Sequence, residues 1–420
     1  MGLYIQGYGT VPLLRRKGIA ARLIHSASRW SAGRELQDLF YASELDASAW
    51  LSFYPPAGGI AFEIESGRVA FGTKTSIAGP AYHAAVVDLC DHLQADLGLR
   101  WRWEVGGDET NYAVERDFDQ LRDDFLDQVI AYCEFRESNV QPGELHALNL
   151  SAGLAMNGYE GVATPMGPLP AQTFLDVLDS PGGAEALARR IFPWWSRTLD
   201  QDFWIRTLRA LLWTEVEWRG ARTPWESHVH KAALALGARF RDALDGEVCQ
   251  AVDELAALSQ DPERFIVPQP GGIGYLRYTR AFFLPGGWRI NLAGYYVEQL
   301  EDDGKTVCLW FGNEEIRGTS FTITSDGHRA EIWSEELAGQ PDLEAIGCTF
   351  RLRPAPKPSK SVPGFFNALA EIQTRDRNGN IQLLVLTLFD DEENLIPRLT
   401  EIAQGVWFDE PTVGTGEPGN

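Results

Sequence analysis

Carboxylates are concentrated in one stretch of this 420-residue chain, WRWEVGGDETNYAVERDFDQLRDDFLDQV at residues 101–129. Asp108 and Glu109 follow a double glycine there. Three further aspartates recur at a spacing of four residues: Asp119, Asp123 and Asp127. Carboxylates grouped in this way can perform general acid–base catalysis, bind a metal ion or present negative charge to a cationic partner.

A catalytic pocket around Asp108 and Glu109 is one alternative. General acid–base catalysis needs a carboxyl group whose pKa is raised by burial, and the loop between a strand and a helix is a place where that could occur. His83 follows a glycine-proline helix start, where the helix dipole favours a neutral imidazole. If the protein is an enzyme, for instance a small-molecule hydrolase, we expect His83, Asp108 and Glu109 in its pocket. An N-terminal helix cap and a buried histidine are the structural interpretations of the same residues.

The rest of the sequence favours no catalytic or metal-binding motif. It contains no GxxxxGK[ST] phosphate loop, no GxSxG nucleophile turn and no DxDxDG calcium loop. The closest histidine pair, His228 and His230, follows the helix-start signal Thr223-Pro224-Trp225-Glu226, and residues two apart on a helix face different sides. We therefore expect no metal and no cofactor, and the sequence does not favour an enzyme.

The charge balance favours a different kind of function. The chain carries 59 acidic against 37 basic residues, a formal net charge of −22, which argues against nucleic acid or an anionic membrane as the main partner. We predict an acidic protein-binding protein, such as an inhibitor or immunity factor that covers the surface of a basic toxin or enzyme. A structural subunit of a larger assembly is a further alternative. The predicted partner-binding residues are Asp108, Glu109, Asp119, Asp123, Asp127, Glu301, Asp302 and Asp303.

A helix must hold the aspartate row. From residue 115 onward the apolar positions have helical spacing, and the aspartates lie on the opposite side of the same helix. The predicted inner stripe consists of Phe118, Leu121, Phe125, Val129 and Ile130. Before it, Trp101 and Trp103 alternate with Arg102, as on one face of a strand. The row should therefore be a solvated surface, which suits binding better than catalysis.

The elements around these residues predict an α+β protein of several units. Residues 1–150 should form an α+β unit, residues 151–265 a mostly helical region rich in tryptophan, and residues 266–420 an antiparallel β-meander with a terminal helix. Hairpin turns are expected at Ser66-Gly67, Asp303-Gly304, Asp326-Gly327 and Asn378-Gly379. The tryptophans of the middle region are expected to form an aromatic core rather than a platform for a ligand.

The cysteines and the absence of long apolar runs indicate the cellular compartment of the protein. The five cysteines are scattered and show no zinc-ligand spacing, so we expect reduced thiols in the cytoplasm. No stretch has the roughly 18 apolar residues of a membrane helix, and no membrane partner is expected. Residues 1–34 contain six basic and no acidic side chains. We expect the helix within this segment to pack on the protein's own acidic surface; an organelle-targeting or surface-binding helix is the alternative.

Overall fold

The structure is a computed structural model, in which the chain divides into two compact units, residues 1–277 and 278–420. Among the described residues, no helix is both long and apolar enough to cross a membrane. The structure describes residues 3–12, 18–45, 48–65, 67–139, 145–148, 150, 161–221, 223–260, 272–277, 279–294, 296–301, 304–311, 314–323, 333–359, 364–391 and 393–409.

The first unit begins with a six-stranded antiparallel sheet and four helices. Its order is β2-β3-β4-β5-β1-β6, so that the first strand lies between the fifth and the sixth. Helix α2 packs against α1, α4 and β6. The bounds are β1 Tyr4–Thr10, α1 Ile19–Ala32, β2 Tyr41–Leu45, β3 Ser48–Ser52, β4 Ile60–Glu65, β5 Arg68–Lys74, α2 Pro80–Leu97, β6 Arg100–Asp108, α3 Tyr112–Glu115 and α4 Phe118–Asn139.

Local sequence explains the bounds of α2. Pro80 occupies the first turn, where its missing N–H would have no helical partner, and Gly98 ends the helix in the left-handed conformation at φ 70°. Gly79 before it has φ 118°, and a Cβ atom there would lie 2.8 Å from the Cβ of Phe192 and 2.9 Å from the carbonyl oxygen of Trp194. Only glycine therefore allows the loop containing Trp194 to pack against the start of α2.

The basic helix α1 confirms its predicted packing. Ile19, Leu23, Ala27 and Trp30 are buried. The Arg29 guanidinium lies 2.5 Å from Asp96 and that of Arg34 lies 3.0 Å from Asp88, both on α2. Arg15, Arg16 and Lys17 lie outside the described residues.

The predicted helical, tryptophan-rich middle is also confirmed. Trp194, Trp195, Trp204, Trp213 and Trp218 are buried, and edge-to-face ring contacts such as Trp194–Phe203, with centroids 4.9 Å apart, show that they are core side chains. The elements of this region are β7 Leu145–Ala147, β8 Gly161–Thr164, β9 Gly167–Leu169, α5 Ala171–Asp179, α6 Gly183–Ile191, α7 Gln201–Thr214, α8 Pro224–Arg239 and α9 Gly246–Gln260. Short 3-10 helices span Pro55–Ala57, Arg241–Ala243 and Tyr275–Arg277.

The second unit is the predicted antiparallel meander with a terminal helix. Eight strands form one sheet, in the order β12-β13-β14-β19-β18-β16-β15, with β17 beside β18, and β10-β11-β20 form another. A 3-10 helix spans Pro285–Gly287. The bounds are β10 Thr279–Phe283, β11 Trp288–Ala293, β12 Val297–Leu300, β13 Thr306–Phe311, β14 Glu314–Ile323, β15 Leu343–Ala345, β16 Cys348–Leu352, β17 Lys357–Pro358, β18 Phe366–Arg375, β19 Ile381–Asp390, α10 Ile396–Gln404 and β20 Val406–Phe408.

Glycines close the hairpins where the sequence predicts them. Gly67, Gly304 and Gly379 have φ between 64° and 87°, which side chains with a Cβ rarely adopt, and each lies between two paired strands. The predicted turn at Asp326-Gly327 lies outside the described residues. Helix α10 is tied to the large sheet by Arg398, whose Nε donates to Glu314 at 3.1 Å.

Replacing Gly79 with alanine should destabilise the first unit by about 3 kcal/mol, because the new Cβ meets backbone and side-chain atoms and the φ angle is unfavourable. Gly182 is the control, since it has φ 75° but no atom within 4 Å of the place where a Cβ would lie, so that Gly182→Ala should cost only about 1 kcal/mol. Urea unfolding followed by circular dichroism measures both. Equal losses would show that the close contact at Gly79 does not matter.

Candidate functional site

His83 and Asp108, 25 residues apart in sequence, meet in a buried network in the first unit. Asp108 ends β6 and His83 lies in the first turns of α2; Nε2 of His83 is 3.3 Å from Oδ1 of Asp108. On the other side of the ring, Nδ1 is 3.0 Å from the hydroxyl oxygen of Thr75. The carboxylate also accepts hydrogen bonds from the Thr110 hydroxyl at 2.7 Å and from the backbone N–H of Ala113 at 2.6 Å.

The electrostatics of this network favour an ionised carboxylate. Burial alone would raise the pKa of Asp108, but the hydrogen bond and charge of His83, together with the bonds from Ala113 and Thr110, lower it to about 2. A general acid at neutral pH needs the opposite shift. Asp108 instead orients the imidazole and caps α3.

The solvent exposure of the two side chains determines whether this network can act on a substrate. The side chain of His83 is 0% exposed and that of Asp108 is 4% exposed, so neither presents an atom to a substrate. Glu109, the third residue of the predicted pocket, is exposed and is not part of the network. The geometry fits the structural interpretation, a satisfied histidine and a helix cap, better than the hydrolase alternative.

The aspartate row of α4 has the predicted orientation. Asp119, Asp123 and Asp127 are exposed, while Leu121 and Phe125 on the opposite side are buried. The helix begins at Phe118, later than the sequence pattern indicated, because Asp117 caps it by accepting the backbone N–H of Asp119 at 3.0 Å and of Gln120 at 3.1 Å.

The carboxylates of α4 differ from those of the neighbouring α2 in their counter-ions. On α2, Asp88, Asp91 and Asp96 each pair with an arginine at 3.1 Å or less. On α4, Asp119 is 3.8 Å from Arg122, and within the described part of the chain Asp123 and Asp127 have no ion-pair partner. The negative charge of this face is therefore largely unneutralised.

The pKa of Asp124, which lies beside the aspartate row of α4, is raised in part by the same excess of negative charge. Partial burial raises its pKa, and the carboxylates of Asp127, Asp108 and Asp123 add to that rise, against the opposing hydrogen bond from Gln120 at 3.0 Å. Crowded carboxylates make each further ionisation less favourable. A cation bound on this face would relieve the repulsion.

The other predicted acidic group belongs to the second unit. Glu301 lies 3.3 Å from Arg317 and accepts the thiol of Cys308 at 3.1 Å, so its charge is partly compensated. Asp302 and Asp303 lie outside the described residues. Of the predicted partner-binding residues, only those of α4 form a described and mostly unpaired set.

Comparisons with known proteins identify no relative. Family models, curated proteins and solved structures give no match to the chain. Its function is therefore inferred from the charge, burial and contacts of its own side chains.

A second buried polar cluster was not predicted from the sequence. Arg219 holds Glu226 through two hydrogen bonds, at 2.7 and 3.1 Å, and Glu226 precedes His230 by one turn of α8. His230 is 3% exposed, and burial lowers its pKa to about 4. The Thr223 cap of α8 is as predicted, since its hydroxyl accepts the backbone N–H of Glu226 at 3.1 Å, while the Glu226 carboxylate binds Arg219. The signal that could have been noticed is an arginine seven residues before a helix-capping glutamate.

The predicted separation of the two histidines on α8 matches the structure. His230 is buried, whereas His228 is half-buried and contacts the ring of Tyr41, with centroids 5.4 Å apart. Among the described residues, no group of three or more histidine, cysteine, aspartate or glutamate side chains is arranged to hold a metal ion.

Replacing Asp108 with asparagine should destabilise the protein by about 2 kcal/mol at neutral pH, because the network loses a charged acceptor. A folded-state pKa below the usual value of 3.8 gives stability that is present above about pH 4 and is lost as the pH falls through 2. The difference between wild type and Asp108→Asn should thus shrink by about 2 kcal/mol from pH 5 to pH 2. Unfolding free energies at several pH values test this.

The exposed neighbour supplies the control. Glu109→Gln removes one exposed charge at the adjacent position and should change the free energy of unfolding by less than about 0.5 kcal/mol. A wild-type advantage over Asp108→Asn that is independent of pH would contradict the assigned ionisation of Asp108.

Proposed function

We propose that this chain is a protein-binding protein whose α4 face holds a basic protein, and that it acts as an inhibitor or immunity factor by covering that partner's surface. The observation that supports this most directly is the exposed row of Asp119, Asp123 and Asp127, whose charge is left mostly unneutralised among the described residues, whereas the aspartates of the adjacent helix α2 are paired with arginines. Surface charges without a counter-ion contribute little to folding, so their arrangement is available for recognition.

Long-range attraction is what such a face offers a partner. A chain with a net charge of −22 accelerates encounter with a cationic protein, and a concentrated row selects the orientation in which the two meet. The attraction acts over about 10 Å at 0.1 M salt and weakens as salt is added. Binding of this kind needs neither a cofactor nor a reacting group.

The helix is held rigidly, which favours binding with little loss of conformational freedom. Its inner side chain Phe125 is fully buried, 5.5 Å from Phe192 between ring centroids. Arg122 donates to Glu185 of α6 at 2.9 Å and lies 5.1 Å from the ring of Trp195. A preformed surface avoids the cost of ordering it on association.

A cytoplasmic location is part of the proposal. All five cysteines lie within the described residues, none forms a disulfide bond, and four are buried. This supports a reducing compartment. A basic toxin or enzyme acting in the same compartment would be a partner of suitable charge.

The test is affinity capture with the purified protein and an Asp119→Asn, Asp123→Asn, Asp127→Asn triple variant, at about 50 mM salt. Wild type should retain a basic protein from a lysate of the source cells and release it by about 300 mM salt. The triple variant should retain roughly tenfold less of it, because three attractive charges are removed from one face. Quantitative mass spectrometry of the eluates measures both.

A charge-matched control separates the α4 face from net charge. Asp38, Asp179 and Asp242 are exposed aspartates of the same unit outside α4. Changing these three to asparagine should leave capture unchanged. Equal retention by wild type and the α4 variant, or equal loss in both triple variants, would refute the proposed binding face.

A further inference from the structure

One face of the six-stranded sheet is open to solvent on β1, β4, β5 and β6, whereas on β2 and β3 its side chains Tyr41 and Trp50 pack against Trp225 of α8. The side chains of Val69, Phe71 and Trp101 point to the side covered by α2, where the indole N–H of Trp101 donates to the carbonyl of Cys90 at 2.7 Å. Strand side chains alternate, so the intervening residues point to the opposite side. The exposed residues of that side on β1, β4, β5 and β6 are Tyr4, Gln6, Thr10, Ala61, Glu63, Glu65, Arg68, Ala70, Gly72, Arg100 and Arg102, with Tyr8 and Lys74 half-buried.

Four cations share this face, and strand order brings them together. Arg68 pairs in register with Thr10, which pairs with Arg100 on the other side of β1. Arg102 is opposite Tyr8, and Lys74 is opposite Tyr4. With strands about 4.8 Å apart, Arg68 and Arg100 start about 10 Å from each other across β1.

Among the described residues these four cations have no counter-ion, whereas most of the arginines there are paired with a carboxylate. Within the described residues, Arg68, Lys74, Arg100 and Arg102 form no ion pair, although Glu65 is opposite Arg68 in register. Three arginines of the same unit, Arg29, Arg116 and Arg197, each pair with a carboxylate of α2. Partial burial lowers the pKa of Lys74, as expected for a cation that is desolvated without compensation.

The aromatic side chains lie along the middle of the same face. Tyr4, Gln6 and Tyr8 follow one another on β1 at intervals of about 7 Å. Tyr4 is 51% exposed, and the Arg68 guanidinium lies 5.6 Å from the centre of the Tyr8 ring. Beside them, Ala70 and Gly72 leave a low, flat floor on β5.

We propose that this open sheet face binds a single-stranded nucleic acid, with bases stacked on Tyr4 and Tyr8 and phosphates on Arg68, Lys74, Arg100 and Arg102. Open β-sheets bind single strands in this way, stacking two or three bases on aromatic side chains while cations follow the backbone. The strand register provides for both base stacking and phosphate binding, since each tyrosine of β1 has a cation directly beside it on β5 or β6.

An acidic peptide would satisfy the cations but not the tyrosines. A carboxylate would pair with the cations alone, whereas any base can also stack on an exposed ring, and the two tyrosines therefore favour a nucleic acid. The net charge of −22 weighs against nucleic acid for the chain as a whole. The net charge is a sum over the whole molecule and does not describe this face. Because the rest of the molecule repels phosphates, we expect weak, strongly salt-dependent binding. This site is separate from α4 and does not depend on the function proposed for it.

Fluorescence anisotropy with labelled oligouridylate and oligodeoxythymidylate of about ten nucleotides tests the proposal. Wild type should bind at least one of them with a Kd on the order of 10 μM at about 50 mM salt. An Arg100→Gln, Arg102→Gln variant should bind about tenfold more weakly, and the slope of log K against log salt should fall by about 1.4 in magnitude. A Tyr4→Leu, Tyr8→Leu variant should lose about tenfold in affinity and keep the slope.

The matched control is Arg190→Gln, Lys231→Gln, which removes two exposed cations from α6 and α8 and should change the Kd by less than about twofold. Circular dichroism confirms that each variant is folded. The proposal is overturned if no anisotropy change occurs up to about 100 μM protein, or if the control weakens binding as much as the arginine variant. It is also overturned if oligoglutamate of equal charge competes as well as the oligonucleotide, since the face would then bind acidic peptide.

Discussion

The buried carboxylate of Asp108 is the interaction on which the first unit depends. It joins four pieces of chain: the end of β5 through Thr75 and His83, the start of α2, the end of β6, and α3 through Ala113. A carboxylate buried to this degree is tolerated only when its lone pairs are satisfied. Its hydrogen bonds therefore determine where β6 stops and where the chain turns toward α4. The acidic face is presented by the next helix, α4, whose own start is capped by Asp117.

Many charged side chains of this unit are paired where elements pack together. In the interior, Arg219 and Glu226 are joined by two hydrogen bonds in a buried setting. Most ions at helix–helix contacts are paired as well, including Arg34 with Asp88. Among the described residues of this unit, the aspartates of α4 and the cations of the open sheet face are two exposed groups in which neighbouring charges of one sign have little or no compensation by ion pairs. Because exposed charges affect folding little, these two groups are places where interaction with other molecules is indicated.

The elements with local signals were predictable from sequence. Gly79-Pro80 and Gly98 bound α2, glycines with positive φ close the hairpins, and helical spacing places Asp123 opposite Phe125. Contacts between residues that are distant in the sequence could not be predicted in the same way. His83 and Asp108 could be proposed as neighbours, but their complete burial depends on packing of α2 against β6. The cations of the open sheet face could not be predicted for a similar reason. Arg68 and Arg100 lie close together only because β1 inserts between β5 and β6.

The proposed binding face requires that the position of negative charge on α4, rather than its total amount, attracts cations. Isothermal titration of a lysine oligomer of about twenty residues into wild type and into the two triple aspartate variants measures this, since both variants carry a net charge of −19 (−22 + 3). We predict that changing Asp119, Asp123 and Asp127 weakens binding and flattens its salt dependence, and that changing Asp38, Asp179 and Asp242 does neither. Equal weakening in the two variants would contradict the proposed role of α4.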